Sequence, residues 1–167
     1  MKTTGGSRRA RSPAGLAAIR KRFKEGWTPP IAELLGFSLT KVGRGWAWIE
    51  IDAEPRHANP MGTLHGGVIC DIADAAMGMS YASLLGSQES FTTIEIKVNF
   101  LRPVWSGHLT ARGKILRKGR SLGLAECRVL DEHKRLVAYA TSTCMTIPGV
   151  AGSDLTRAML EQAPPPH

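Results

Sequence analysis

The residues best suited to chemistry are concentrated between positions 57 and 74. This stretch contains two histidines, Asn59 and three glycines, and it ends on Asp74. A Gly-rich turn that opens a helix leaves backbone N–H groups without helical acceptors, and the helix dipole adds positive potential there. Such amides can bind an anion or the polarised oxygen of a carbonyl group. The pattern predicts a site that stabilises negative charge on a carbonyl oxygen, with the side chains of Asn59, His65 and Asp74 as its polar groups.

The spacing between the glycine turn and Asp74 limits how one site can use both. If the helix begins near His65, Asp74 follows nine residues later, which is roughly 13 Å along the helix axis. At about 100° per residue the carboxylate also points to nearly the opposite face. One small reacting group cannot touch both within a single chain. Either the two are unrelated, or a two-fold axis between antiparallel helices joins the turn of one subunit to the carboxylate of another.

Each of these side chains also has a structural interpretation. Asp71 lies one turn before Asp74 and competes for the acidic role, although a carboxylate in the first turns of a helix also favours the dipole. His65 would have the same sequence context if it only fixed the loop, and Asn59 if it only formed the turn before Pro60. The neighbours of Asp74 favour a functional role because they are apolar, namely Ala73, Ala75, Ala76 and Met77.

A basic turn at residues 117–120 is the second candidate site. Lys118, Gly119 and Arg120 lie between two strand-like segments. Basic side chains beside a flexible turn can bind phosphate groups. A solvated basic β-turn is an equally good interpretation of the same residues.

The hydrophobic pattern predicts the elements that position these residues. Residues 68–85 are rich in Ala, Met and Ile and predict one long, mostly buried helix that ends at Gly86. A hairpin is predicted around residues 45–52. Four strand-like segments with short connections follow the helix and predict an antiparallel meander, at about 92–101, 108–116, 122–130 and 136–147. The expected fold class is α+β, with an antiparallel sheet wrapped around one long central helix.

The chain divides into three parts by composition. Residues 1–30 are predicted to be a basic tail and a short amphipathic helix, residues 31–148 the folded domain, and residues 149–167 a C-terminal tail. The net charge of +8 is concentrated at the N-terminus, where eight basic residues precede the first acid, Glu25. No helix-turn-helix or aromatic–basic pattern accompanies this charge, so no specific nucleic-acid partner is predicted. We expect the amphipathic helix to pack on its own domain rather than on a membrane.

The cellular setting follows from the cysteines and from hydropathy. Cys70, Cys127 and Cys144 are odd in number and lie in apolar segments, which indicates buried free thiols in a reducing compartment. No apolar run is long enough to span a bilayer. These features predict a cytoplasmic location. The Arg-rich N-terminus also resembles an organelle transit peptide, so import is the alternative.

The string Asn59-Pro-x-Gly-x-x-His65-Gly-Gly67 with Asp74 resembles the phenylacetate-degradation-type (PaaI-like) acyl-CoA thioesterases of the hot-dog fold. The similarity extends over roughly residues 34–147 and includes the strand end at residues 100–103. The resemblance implies a hot-dog thioesterase domain at residues 31–148. It also implies a homodimer or a dimer of dimers that hydrolyses an acyl-CoA thioester to a carboxylic acid and free CoA.

The resemblance also implies a role for each matching residue. Asp74 of the partner subunit would activate water or attack the carbonyl directly, and Thr93 would orient that water or carboxylate. The amide of Gly66 would bind the thioester oxygen. His65 would hold the loop, and Asn59 would help to place the carbonyl or the water. The substrate, including its CoA portion, would contact Gly67, Lys118, Gly119 and Arg120.

Two other functions fit the same scaffold. A non-catalytic acyl-CoA binder or ligand-sensing regulator should lack the catalytic carboxylate, which this chain retains at Asp74. A dehydratase would need an Asp and a His suited to proton abstraction, whereas the string from Asn59 to Gly67 favours thioester chemistry. We expect no metal and no cofactor other than the CoA of the substrate. The sequence leaves the acyl group open, although the side chains of Met77, Met79 and Tyr81 suit aryl or medium-chain groups.

Overall fold

The computed structural model describes residues 14–150 of the 167-residue chain. Three α-helices and six β-strands make up this part, with a short 3-10 helix at Pro55–His57. The helices are α1 (Ala14–Lys24), α2 (Pro30–Leu35) and α3 (Gly66–Ala82). The strands are β1 (Phe37–Gly43), β2 (Trp46–Ala53), β3 (Glu89–Phe100), β4 (Gly107–Lys118), β5 (Leu122–Asp131) and β6 (Leu136–Pro148). The predicted tail at residues 1–13 and most of the predicted C-terminal tail lie outside the described residues.

The central helix α3 forms because its residues are apolar almost all round, which is typical of a helix enclosed by other elements. Ile72, Ala73, Ala76 and Met77 are all fully buried. Truncating Ile72 or Met77 to alanine would cost about 2–5 kcal/mol. The helix begins two residues before the predicted position 68 because the His65 side chain caps it, and it ends at Ala82 rather than at 85.

The six strands form one antiparallel sheet in the order β1-β2-β4-β5-β6-β3. One face of the sheet packs on α3, and successive residues alternate between buried and exposed positions, as the two-residue period of a strand requires. The helix lies so close to the sheet that a Cβ atom at Gly113 of β4 would lie 2.4 Å from the Ala76 carbonyl oxygen. The predicted architecture, a sheet wrapped around one central helix, is confirmed.

The prediction that the four later strands form one meander is wrong for β3. Strands β4, β5 and β6 are sequential neighbours, but β3 pairs with β6 at the far edge, and β2 takes the place beside β4. The segment after β3, which contains Pro103, does not form a hairpin turn to β4. The Leu101 amide instead donates to the Val137 carbonyl oxygen at 2.8 Å, and the Val104 carbonyl accepts from Leu64 at 2.7 Å.

Helix α1 packs against the C-terminal end of α3. The Gly15 amide donates to the Leu85 carbonyl oxygen at 3.0 Å, and Leu16 is buried. A Cβ atom at Gly15 would lie 2.0 Å from the Ala82 carbonyl oxygen, so this contact requires glycine. Between residues 14 and 150, no helix combines the length and the apolar character that crossing a bilayer requires.

Candidate active site

The loop before α3 is held by the side chain of Asn59. Its Oδ1 atom accepts from the amides of Met61 at 2.9 Å and Thr63 at 3.3 Å, and its Nδ2 atom donates to Thr63 Oγ1 at 2.9 Å. The His65 amide donates to the His57 carbonyl oxygen at 2.8 Å, which fastens the end of the loop to the buried His57. Asn59 therefore organises the turn in this structure, which is the structural interpretation that the sequence left open.

The start of α3 leaves one amide free. His65 Nδ1 accepts from the Gly67 amide at 2.9 Å, so a neutral His65 carries its proton on Nε2. The Val68 amide donates to the His65 carbonyl oxygen at 3.0 Å. Within residues 14–150, the amide of Gly66 has no acceptor. Because the first amides of a helix lack helical partners and lie at the positive end of its dipole, Gly66 N–H is placed to bind a carbonyl oxygen.

Asp74 and Thr93 lie together where α3 meets β3. Thr93 Oγ1 donates to Asp74 Oδ1 at 3.0 Å, and within the described part of the chain the second carboxylate oxygen has no partner. Asp74 is half-buried. Ile94 is an extra residue in β3 opposite Cys144 and Thr143 of β6, so a β-bulge directly follows Thr93. A bulge changes the direction in which the adjacent side chains point.

Asp71 has a different environment from Asp74. It is exposed, and no hydrogen bond to its carboxylate occurs within residues 14–150. Partial desolvation in the first turns of α3 raises the pKa of Asp71, and the neighbouring charge of Asp74 raises it further. Of the two acids, Asp74 is the one that a hydroxyl group orients.

The predicted residues fall into two groups that one chain keeps apart. Asn59, His65, Gly66 and Gly67 form the first group, and Asp74 with Thr93 forms the second. Helix α3 runs without a break from Gly66 to Ala82, so Asp74 lies about 12 Å along the axis from Gly66. A single reacting carbonyl cannot contact both groups of the same chain.

The edge strand β3 presents an apolar surface beside both groups. It pairs only with β6, so the backbone groups on its other side have no strand partner within residues 14–150. Its exposed apolar side chains include Ile94 and Phe100, which are 53% and 54% exposed, as well as Ile96. Phe100 lies over the helix start, because a Cβ atom at Gly66 would be 3.0 Å from the Phe100 ring. Sequence patterning did not identify Phe100 as part of the site, since an aromatic residue in a strand usually belongs to the core.

The basic turn lies near the opposite end of α3. Lys118 Nζ donates to Thr146 Oγ1 at 3.2 Å and lies 5.2 Å from the centre of the Tyr81 ring. The Gly119 amide donates to the Leu122 carbonyl oxygen at 2.7 Å, and Arg120 is exposed. The predicted phosphate contacts of this turn stay a prediction.

The acyl-pocket residues suggested by the sequence separate in the structure. Met77 and Tyr81 are fully buried, and Tyr81 is hydrogen bonded to Thr146 at 2.8 Å. Met79 instead lines a cavity between α3 and α1.

Residues 14–150 contain no cluster of three or more His, Cys, Asp or Glu side chains that could hold a metal ion.

The three cysteines are free thiols of different accessibility. Cys127 and Cys144 are buried, as expected, whereas Cys70 is only partly buried. Burial raises the pKa of the Cys127 thiol to about 12. Burial also raises the pKa of Cys144, which lies opposite Thr93 in the sheet.

Known proteins are similar to this chain in sequence and in fold. Residues 61–138 match the sequence profile of a family described as the thioesterase superfamily. A Saccharolobus solfataricus protein named "putative esterase" is 30% identical over 125 residues, which cover 75% of this chain and 87% of that protein. The medium/long-chain acyl-CoA thioesterase YigI of Salmonella typhimurium is 28% identical over 131 residues, covering 70% of this chain and 84% of YigI.

A solved structure confirms the fold. The PaaI protein of the Escherichia coli phenylacetic acid degradation operon matches with a TM-score of 0.73 and 20% identity, over 81% of this chain and 96% of PaaI. At this identity the likeness concerns the fold alone. The hot-dog architecture expected from the string at residues 59–74 is thus confirmed.

Proposed function

The chain belongs to the thioesterase superfamily of thioester hydrolases, and we propose that it hydrolyses acyl-CoA thioesters to a carboxylic acid and free CoA in an active site shared by two subunits. One observation carries the proposal. Of the first three amides of α3, that of Gly66 has no acceptor within residues 14–150, while an oriented carboxylate, Asp74, lies about 12 Å further along the helix. A two-fold axis between antiparallel copies of α3 would bring the Gly66 amide of one subunit to Asp74 of the other.

The Gly66 amide would act on the thioester carbonyl. As a nucleophile adds to the carbonyl carbon, negative charge develops on the oxygen, and a backbone N–H at the start of a helix stabilises that charge. His65 supports this role because its Nδ1 atom accepts a hydrogen bond from the neighbouring Gly67 amide. This bond fixes the direction of the helix start. Asn59 would act one step further away by holding the loop that carries His65.

Asp74 would supply the nucleophile. Thr93 holds one carboxylate oxygen, so the other is free either to take a proton from an attacking water or to attack the carbonyl itself. In the first case the water oxygen bonds to the carbonyl carbon and the C–S bond breaks. The departing thiolate then takes up the proton that Asp74 removed. In the second case the C–S bond breaks as Asp74 and the acyl group form a mixed anhydride, and water then hydrolyses the anhydride to the carboxylic acid and supplies the proton that the thiolate takes up. A thiolate is a good leaving group, so the site needs no strong general acid.

The apolar edge of β3 supports the shared site. A long edge strand with exposed apolar side chains is an unfavourable surface for an isolated subunit unless another chain covers it. Ile94 and Ile96 lie on this strand close to Thr93, and Phe100 lies against Gly66. An interface along β3 would therefore bury these side chains and bring both halves of the site to the same boundary.

The CoA part of the proposed substrate is supported by the relatives and by the basic turn. YigI is named an acyl-CoA thioesterase. Lys118, Gly119 and Arg120 lie near the C-terminal end of α3, about 10 Å beyond Asp74 along the helix axis. We propose that this turn binds phosphate groups of CoA, and that residues 31–148 hold the whole catalytic machinery.

The test is the release of free thiol from a panel of acyl-CoAs by the wild type and by two variants. Asp74→Asn should lower kcat about a thousandfold, since it removes the base or nucleophile. Gly66→Pro removes the amide hydrogen at the first helical position, where proline is tolerated and where His65 already has the extended conformation that precedes proline. Gly66→Ala is its matched control, because it adds a Cβ atom near Phe100 but keeps the N–H group.

The two variants also test whether the site is shared. Heterodimers of Asp74→Asn and Gly66→Pro subunits, purified through two different tags, would contain one complete site. They should recover about half the wild-type turnover per dimer, while each homodimer stays inactive. Heterodimers as inactive as both parents would contradict a shared site. Wild-type-like turnover by Asp74→Asn would contradict the assignment of the acid.

A further inference from the structure

A large apolar cavity lies between α1 and the face of α3 that follows Asp74. Its volume is about 650 Å³, which is within the range of small-molecule sites. Its walls come from α1 with the segment after it and α2, from β1 and β2, and from the seam between α3 and β3. The lining residues that matter here are Ala18, Phe23 and Trp27 on α1 and the segment after it, and Ala75, Met79 and Phe91 on the seam.

The charged side chains at this cavity are already engaged. Arg22 lies 5.0 Å from the centre of the Trp27 ring, and a guanidinium group over an aromatic face is held by the ring electrons. Glu89 accepts a hydrogen bond from the Gly86 amide at 2.7 Å. The remaining walls are mainly alkyl and aromatic groups. Such walls favour an apolar occupant through the burial of its hydrocarbon surface.

The lining of the cavity begins next to the Asp74–Thr93 pair, at Ala75 on α3 and at Phe91 on β3. Ala75, Met79 and Ala82 lie at helical spacing along one face of α3, beginning at the residue after Asp74. Phe91 lies two residues before Thr93 on the same face of β3, and it packs against Tyr81 and next to Gly78. An acyl chain that extends from Asp74 along this seam would reach the cavity.

The geometry points to this cavity as the site of the acyl chain, with α1 as its roof and as the element that sets chain length. The inference rests on the proposed acyl-CoA hydrolysis and names its substrate class, a straight-chain acyl group of medium length. The row from Ala75 to Ala82 spans about 10 Å of helix axis, which matches an extended alkyl chain of about eight carbons. The acyl chain of the substrate would lie in the subunit that supplies Asp74, not in the subunit that supplies Gly66.

The roof is fixed rather than loosely attached. Gly15 approaches the end of α3 so closely that its amide donates a hydrogen bond to the Leu85 carbonyl oxygen. The side chain of Leu16, also on α1, is buried. Residues 61–138, which match the family profile, do not include this helix. The acyl-chain selectivity of this protein would therefore depend on a segment outside the matched part of the chain.

The experiment measures kcat/KM for acetyl-CoA, octanoyl-CoA and benzoyl-CoA in the full-length protein. The wild type should favour octanoyl-CoA over acetyl-CoA at least about tenfold, since each buried methylene contributes to binding in an apolar pocket. Ala18→Phe places a ring in the cavity and should reduce that octanoyl-to-acetyl ratio at least about tenfold. Ala18→Leu, a smaller change that is easier to accommodate, should reduce it less.

Ala17→Phe is the matched control. Ala17 is the adjacent residue on α1 and is exposed, as Ala18 is, but it does not line the cavity, so the ratio should stay at the wild-type value. Equal ratios for Ala17→Phe and both Ala18 variants would overturn the inference and leave the hydrolase proposal intact. A wild-type preference for benzoyl-CoA would likewise overturn the straight-chain occupant. Failure to hydrolyse any acyl-CoA would instead remove the proposed function.

Discussion

The loop before α3 and the seam between α3 and β3 use their polar groups in opposite ways. In the loop, the Asn59 oxygen and His65 Nδ1 both accept hydrogen bonds from neighbouring backbone amides, and among residues 14–150 the Gly66 amide finds no acceptor. At the seam, one hydroxyl orients Asp74 and leaves its second oxygen without a partner among residues 14–150. Within residues 14–150 the loop is therefore a structural scaffold that leaves one donor without an acceptor, whereas the seam presents a half-buried carboxylate held by one hydrogen bond.

This difference separates the expected effects of substitutions. A loop variant should lower both stability and turnover, because the same hydrogen bonds hold the loop and direct the Gly66 amide. A seam variant should lower turnover with a smaller change in stability, since water can replace the lost contact at a half-buried carboxylate. The next three predictions test this contrast.

Among the variants of His65, Thr93 and Asp71, the largest effect is expected for His65 in the loop. His65→Ala removes the acceptor of the Gly67 amide, and loss of such a cap costs about 1 kcal/mol, or about 2–4 °C in Tm for a chain of this size. Turnover should fall about tenfold because the helix start is no longer fixed. Calorimetry and thiol release would measure the two changes. His133→Ala, an exposed histidine in the β5–β6 turn, is the control, and an equal loss there would contradict the role of His65.

A smaller effect is expected at the seam. Thr93→Val keeps the shape of the side chain but removes the hydrogen bond to Asp74. We expect kcat to fall about fivefold with little change in KM, and Tm to fall less than in His65→Ala. Thr93→Ser, which keeps the hydroxyl, should restore most of the rate. If Thr92→Val, at the exposed neighbouring position, lowered kcat as much, the assignment of Thr93 would be wrong.

The smallest effect is expected at Asp71, and its size depends on pH. Burial and the charge of Asp74 raise the pKa of Asp71 in the folded state, so folding disfavours its ionised form. Stability is therefore lost as pH rises from the ordinary aspartate pKa of about 3.9 through the higher folded value. Asp71→Asn removes this penalty and should raise Tm by about 1 °C or less at pH 7, because the side chain is exposed.

The pH series provides the control for Asp71. At pH 3 both folded and unfolded chains hold the proton, so the gain in Tm from Asp71→Asn should disappear. Burial alone would raise the pKa of Asp131, but hydrogen bonds from Arg135 and His133 lower it overall. Asp131→Asn should therefore lower Tm at pH 7. The same sign of change in both variants at pH 7 would contradict this account.

The local elements and the motif could be predicted from the sequence because they depend on short-range patterns. The long apolar run, the glycine turn before it and the alternating segments after it gave the helix and strands to within a few residues at their ends. The partner of β3 could not be predicted, because strand pairing depends on contacts between residues far apart in the chain. Hairpin connections are common between successive strands, and Pro103 was the sign that this connection differs.

The sequence predicted the candidate site residues but not how they are arranged in space. The nine-residue spacing from His65 to Asp74 already indicated that one chain cannot bring the two groups together, because helix geometry is fixed. The Thr93–Asp74 hydrogen bond and the position of Phe100 against Gly66 could not be read from spacing. Each depends on how β3 crosses α3, and a bulge at Ile94 shifts that register by one residue.

The sequence alone determined that this chain forms one apolar helix, a strand-rich remainder and a glycine turn suited to binding a carbonyl oxygen. It did so because helix and strand periods and the orphan amides of a helix start are local properties of the backbone. Only the tertiary structure decided that β3 is an edge strand, that Thr93 Oγ1 donates to Asp74 Oδ1, and that α1 lines one side of an apolar cavity. Those features arise from the packing of segments distant in sequence, where shape and exclusion of water select one arrangement among many that the same local pattern allows.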